Sequence, residues 1–195
     1  MIVDRNFQTP PEVAAMMATY IPKAAKSIFE PTPGVGNIVS AIKEAGFDCI
    51  SPTDYFLSDK TLRYDCIVMN PPFSKKYAWM KEASPEYHKC KGMELGYKIF
   101  NDCLTMSDNV IALMPWFTIS DSDVRLRKLL KYGIKKVVLL PRKTFAYARI
   151  QTAVFVMQKG HEGPTDFGYF EFKNKQHTLL PDEEKSHSEL LRPTV

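Results

Sequence analysis

The apolar runs Ile134–Leu140 and Thr152–Gln158 are separated by eleven residues. That is too few for a helical crossover, so the two runs must pair as antiparallel strands. Everything before them alternates differently. Short apolar runs at Ser27–Glu30, Tyr64–Met69 and Asn109–Met114 are each followed by a segment of helical character, and Phe47–Ser51 reads as another short strand. Thr9-Pro10-Pro11-Glu12 reads as a helix start, with Thr9 as N-cap, proline in the first turn and Glu12 closing a capping box. Further helices are expected over about Asn37–Ala45, ended by Gly46, over Met93–Met106, and over Ser122–Tyr132, ended by Gly133. Phe167–Phe172 reads as a weaker strand. Strands alternating with helices in this way predict an α/β fold with a mostly parallel sheet.

With 195 residues, 45% of them hydrophobic, the chain can bury one good core. The expected division is a single domain over 1–160, followed by a C-terminal strand and polar tail over 161–195. No apolar stretch reaches the ~20 residues of a membrane span, and the charged start lacks the apolar core of a signal peptide. A cytoplasmic location is expected. Cys49, Cys66, Cys90 and Cys103 are widely spaced, without a CxxC pair, so neither a disulfide framework nor a metal site is expected.

The net charge is only +4, yet residues 121–150 carry nine Lys/Arg against Asp121 and Asp123. Such a segment reads either as the solvated face of a helix or as a polyanion footprint. Arg142 and Lys143, interleaved with Phe145, Tyr147 and Arg149, mix cations and aromatics as phosphate-gripping, base-stacking loops do.

Two turns carry chemistry. Glu30 ends the first strand and runs into Pro31-Thr32-Pro33-Gly34-Val35-Gly36 ahead of a helix. Gly34 and Gly36 let the backbone approach a ligand, and the helix opens its amides toward it. Two glycines do not make the dinucleotide fingerprint, and no Lys-Ser/Thr pair follows to make a nucleotide-binding loop; a plain structural turn is the alternative. The second turn, Asn70-Pro71-Pro72-Phe73, follows a buried strand. Its prolines remove two N–H donors, which leaves the Asn70 side-chain carbonyl and the Pro71 carbonyl as acceptors beside the flat face of Phe73. Asn70 has no basicity; its use would be to orient a planar amine.

With these residues the chain resembles the S-adenosylmethionine-dependent N6-adenine DNA methyltransferases of the Asn-Pro-Pro-Phe type. Phe7-Gln8-Thr9-Pro10 looks like the family's N-terminal motif, Glu30–Gly36 like its cofactor turn, and Asp54-Tyr55-Phe56 like the segment that meets the cofactor's adenine. Asn70, Pro71, Pro72 and Phe73 look like its catalytic motif. The resemblance implies a Rossmann-like class I methyltransferase fold: a seven-stranded, mostly parallel sheet with an antiparallel last strand and helices on both faces. It implies S-adenosyl-L-methionine held by Phe7, Gln8, Thr9, Pro10, Glu30, Pro31, Gly34, Gly36, Asp54, Tyr55, Phe56 and Asn70. It also implies DNA as partner, met by Lys75, Lys76, Arg142, Lys143, Phe145, Tyr147 and Arg149. The family usually places an acid for the ribose hydroxyls at the end of the second strand; Cys49-Ile50-Ser51-Pro52 offers none. Family members that read sequence carry a separate recognition domain. Only about 35 residues follow Lys159 here, so sequence readout is expected either to be weak or to come from a homodimer mate or a separate specificity subunit. An RNA base or a protein glutamine amide as the methylated amine, and a non-catalytic binding subunit, are the rival readings.

Overall fold

A computed structural model describes residues 7–73, 89–145 and 150–173. Seven strands form one sheet in the order β2-β1-β3-β4-β6-β5-β7. They are β1 (Ile28–Phe29), β2 (Cys49–Ile50), β3 (Cys66–Met69), β4 (Asn109–Pro115), β5 (Ile134–Leu139), β6 (Thr152–Gln158) and β7 (Asp166–Tyr169). Among the described residues four α-helices accompany them, α1 (Pro11–Ala18), α2 (Asn37–Glu44), α3 (Glu94–Met106) and α4 (Asp123–Tyr132), with short helical turns at Tyr55–Leu57 and Phe117–Ser120.

Strands β2, β1, β3 and β4 are parallel. As the short connection requires, β6 runs antiparallel to β5, and it is antiparallel to β4 as well. The chain then adds β7 at the sheet edge, parallel to β5. The antiparallel strand is therefore sixth in chain order, with one further strand after it. β1 and β2 span two residues each, shorter than the apolar runs that announce them.

Alternation along the strands divides the core. On one face Phe29, Ile67, Met69, Val110, Ala112 and Phe155 pack with Leu95, Ile99, Phe100 and Cys103 of α3 and Leu129 of α4. On the other, Ile28, Cys66, Val68, Ile111, Leu113 and Val154 pack with Val13 and Met17 of α1 and Ile38 and Ile42 of α2. Successive strand residues point to opposite faces, which is why β3 is buried along its whole length with Cys66 and Ile67 in different clusters. Burial pushes the Cys66 thiol up to about 12, so it packs as a small apolar group. All four cysteines are free thiols, and no cluster of potential metal ligands occurs among the described residues. Nor is any described helix long and apolar enough to cross a membrane.

The chain leaves β1 toward β2 on one side and returns to β3 on the other. The carboxyl ends of β1 and β3 thus flank the topological switch point, where ligands lie in open α/β sheets. Glu30 directly follows β1, and Asn70 directly follows β3.

Candidate active site

The two turns are in contact. Thr32 donates its backbone N–H to Glu30 Oε1 at 3.1 Å, and its hydroxyl lies 3.4 Å from that oxygen and 3.3 Å from the carbonyl oxygen of Asn70. Ser51, after β2, donates its hydroxyl to the Glu30 carbonyl at 2.9 Å, closing the turn from the other side.

The segment Phe7–Thr9 stitches both turns together. Gln8 Oε1 accepts from the Val35 amide at 2.9 Å, and the Thr9 carbonyl accepts from Asn37 Nδ2 at 2.8 Å. Asn70 Nδ2 donates to the Phe7 carbonyl at 3.1 Å and to Thr9 Oγ1 at 3.0 Å. The Phe7 carbonyl can only accept, which fixes the amide orientation. Both Asn70 donor hydrogens are therefore spoken for within the chain, and Oδ1 is the part of the amide left to meet a ligand. The expectation that Thr9 caps α1 is corrected by this contact. Pro10 occupies the N-cap without a side-chain cap bond, and the Thr9 hydroxyl serves Asn70 instead. Glu12 does not close a box; its Oε2 accepts from the Lys173 amide at 3.2 Å.

Glu30 is fully buried, and Oε2 has no hydrogen-bond partner. Burial pushes its carboxyl up to about 8, against the smaller lowering effect of the Thr32 bonds. Asp54, 9% exposed, accepts from the Phe56 amide at 2.8 Å through Oδ1, while Oδ2 is buried without a partner. Buried polar atoms in native folds are nearly always paired. Two orphaned carboxyl oxygens, one after β1 and one after the adjacent β2, thus mark buried polar atoms with partners still to come.

The glycines divide the work differently from what proximity to a ligand alone would require. Gly34 has φ +54°, and a Cβ there would stand 2.2 Å from Gln8 Oε1. Its niche belongs to Gln8, not to open space. Gly36 has φ +91° and faces nothing within 4 Å, so it is the residue whose bare backbone is accessible. Gly34→Ala is expected to lower stability by about 1–3 kcal/mol through backbone strain plus the clash. Adding Gln8→Ala should return the steric share and leave the strain; thermal unfolding of the four-member cycle would measure both.

Pro71 is buried, while Pro72 and Phe73 are half-buried. Beneath them α3 comes unusually close: a Cβ on Gly96 would meet the Pro72 carbonyl at 3.0 Å and Phe73 Cα at 3.3 Å. Phe73 packs on the α1–α2 side of the sheet.

Other expected site residues are placed elsewhere. The Tyr55 side chain is fully buried, with its hydroxyl 3.2 Å from Asp102 Oδ2, so it belongs to the core; Phe56 packs partly buried against the same cluster. Phe145 is only 4% exposed, among the core residues around α1 and α2, which corrects the expectation that it stacks a base. The basic segment is also partly consumed internally. Arg125 sits 4.1 Å over the Tyr97 ring and donates to the carbonyls of Phe117 and Thr118. Lys128 bonds Asn101, Lys135 bonds Gln158, and Lys136 pairs with Asp166. Arg142 and Lys143 are exposed just beyond β5. That places them on the same sheet edge as Glu30 and Asn70, roughly 14 Å along the sheet from β3 at the usual strand spacing. Lys75, Lys76, Tyr147 and Arg149 lie outside the described residues. The structure adds Thr32, Asn37 and Gly96 to the site, three residues that sequence reasoning missed. The hydroxyl two residues after an acid and the amide in the first turn of α2 were the available signals.

Comparison with known proteins agrees with this geometry at the level of the fold. No family model and no curated protein sequence matches the chain. Solved structures do. A modification subunit assigned to a type I restriction enzyme of Vibrio vulnificus superposes with a TM-score of 0.61 at 18% identity, over 95% of this chain and 52% of its own. The type I restriction-modification methyltransferase subunit of Streptococcus thermophilus gives 0.61 at 15% identity, over 97% and 54%. A protein assigned as a class I S-adenosylmethionine-dependent methyltransferase in Listeria monocytogenes gives 0.61 at 12% identity, over 97% and 72%. The chain thus spans about half the length of the two restriction-modification subunits. Its fold is the Rossmann-like α/β fold of class I methyltransferases.

Proposed function

We propose that this chain is an S-adenosylmethionine-dependent methyltransferase acting on the N6 amine of adenine in DNA, in a restriction-modification setting. The observation that carries this reading is the tethering of Asn70. With Nδ2 held by Phe7 and Thr9, Oδ1 is presented as a fixed acceptor beside the acidic turn. Glu30 Oε2 and Asp54 Oδ2, both buried without partners, suit a ligand bearing an ammonium group and an exocyclic amine. Glu30, Asp54 and the open backbone at Gly36 would hold S-adenosylmethionine, which supplies an electrophilic methyl group when bound.

The chain's own contribution follows from amine chemistry. An exocyclic amine on a purine shares its lone pair with the ring and is a poor nucleophile. Asn70 Oδ1 and the Pro71 carbonyl would each accept one amine hydrogen, favouring a pyramidal nitrogen with its lone pair available. The same dipoles would stabilise the positive charge that develops on nitrogen. The amine sheds its proton only after it has bonded carbon, so the site requires no strong base. An adenine inside duplex DNA is out of reach, so the target would flip out, at a cost of a few kcal/mol, and rest against Phe73. Arg142 and Lys143 would hold phosphates at a distance along the same edge, making activity salt-dependent. A specificity subunit or a second copy of the chain would supply sequence readout.

The test is incorporation of tritium from methyl-labelled cofactor into DNA, RNA and protein fractions, followed by nucleoside analysis. Label in N6-methyladenine of DNA is the expected result. Label confined to RNA or to protein amides would replace the substrate while keeping the chemistry, and no transfer to any fraction would overturn the reading.

A further inference from the structure

A single hydroxyl joins the acidic turn to the Asn-Pro-Pro elbow. Thr32 Oγ1 lies within reach of two acceptors, Glu30 Oε1 at 3.4 Å and the Asn70 carbonyl at 3.3 Å. A threonine hydroxyl has one hydrogen to donate, so it can serve only one of them at a time. Which one it serves depends on Glu30. As a carboxylate, Glu30 only accepts and competes for the Thr32 hydrogen. As a carboxylic acid it can donate its own hydrogen to Thr32 Oγ1, which turns the Thr32 hydrogen to Asn70. We propose that Thr32 is a positioning residue whose hydroxyl transmits the charge state of Glu30 to the Asn70 carbonyl and so sets the seat of the elbow.

The surroundings favour transmission. Two prolines stiffen the elbow, and on its far side Gly96 of α3 abuts the Pro72 carbonyl and Phe73 Cα with little room to spare. A change in the hold on Asn70 therefore has few soft degrees of freedom in which to dissipate. Glu30 in turn raises the thiols of Cys49 of β2 and Cys103 of α3, each pushed up chiefly by its own burial, while Glu30 itself answers to burial and to the opposing Thr32 bonds. The hydrogen bonds to the Glu30 carboxylate come from Thr32 alone among the described residues. Burial brings its titration to about 8. A link to turnover rests on the function proposed above: a cation bound beside Glu30 would favour the carboxylate, draw the hydroxyl from Asn70 and thereby couple cofactor binding to the elbow.

Asn70-Pro71 is the only Asn-Pro pair in the sequence. Labelling asparagine with carbonyl carbon-13 and proline with nitrogen-15 therefore gives one coupled signal, from the carbonyl that Thr32 contacts. In the wild type this signal is expected to shift with a midpoint near pH 8. It should stay flat in Thr32→Val and Glu30→Gln, and titrate again in Thr32→Ser, which restores the hydroxyl. A flat wild-type signal, or a wild-type titration surviving in Thr32→Val, would overturn the proposal. Should Thr32→Val fail to fold, Thr32→Ala removes the same hydroxyl with a smaller side chain, and a carbonyl titration surviving there overturns the proposal equally. In the kinetic arm, Thr32→Val should lower turnover about tenfold with cofactor affinity within about threefold of wild type, and Thr32→Ser should restore it. Parallel losses of turnover, affinity and thermal stability would mark a merely structural threonine. A wild-type protein without methyl transfer would remove the proposed function, while the carbonyl titration would still decide the role of Thr32 by itself.

Discussion

Asn70→Ala is expected to lower methyl transfer by about 10²–10³-fold, the range seen when one preorganised dipole is removed from a developing charge. The variant loses Oδ1, one of the two proposed acceptors for the amine. It also frees the tether to Phe7 and Thr9. The N-terminal segment keeps its bonds from Val35 and Asn37, so cofactor affinity should fall only a few-fold. Single-turnover rates on adenine-containing DNA, set beside calorimetric cofactor affinity, separate the two effects. Thr9→Val is the control, since it removes one tether and keeps the acceptor. If Asn70→Ala retained near-wild-type turnover, the catalytic assignment of the elbow would be lost.

Glu30→Gln should change the pH dependence of stability. The carboxyl ionises at about 4.5 in the unfolded chain and at about 8 when folded. Between those values the native state binds a proton that the unfolded state has released, so stability falls as pH rises, by about 1.4 kcal/mol per unit. Below the unfolded value, and above the folded one, this contribution is constant. Glutamine keeps the shape and has no such proton. The variant should therefore gain on the wild type steadily from about pH 5 to pH 8, reaching several kcal/mol, while binding the cofactor more weakly. Denaturant unfolding at three or four pH values across that window tests the slope; parallel profiles for the two proteins would show that Glu30 is not the proton-binding group. The weaker cofactor binding distinguishes this from a simple stabilising change, because an improved core would leave affinity alone.

Much of the site was legible because its signals are local. Proline and glycine restrict or free the backbone wherever they stand, so the turns after Glu30 and Asn70 were visible without a partner in view. The strand positions followed from apolar runs, and the antiparallel pairing of β5 with β6 followed from chain length alone. The misreadings share one cause. Thr9 satisfies every local rule for a helix cap, yet its hydroxyl serves the Asn70 amide, sixty-one residues away. Phe145 stands between cations in sequence and against α1 and α2 in space. For Arg125, Lys128, Lys135 and Lys136 the sequence left open a helix face or a polyanion footprint, and the fold gives each a partner on its own chain.

From the order of its residues alone, this chain was committed to alternating strands and helices and to two rigid turns at strand ends, because backbone sterics and side-chain periodicity act over a few residues. Only the folded sheet decided that β1 and β3 would lie side by side. That adjacency brings Thr32 onto the Asn70 carbonyl and the N-terminal segment onto its amide, and it strands Glu30 in the dry interior. Hydrogen-bond geometry and desolvation are properties of where groups meet in space, and no spacing along the chain expresses them.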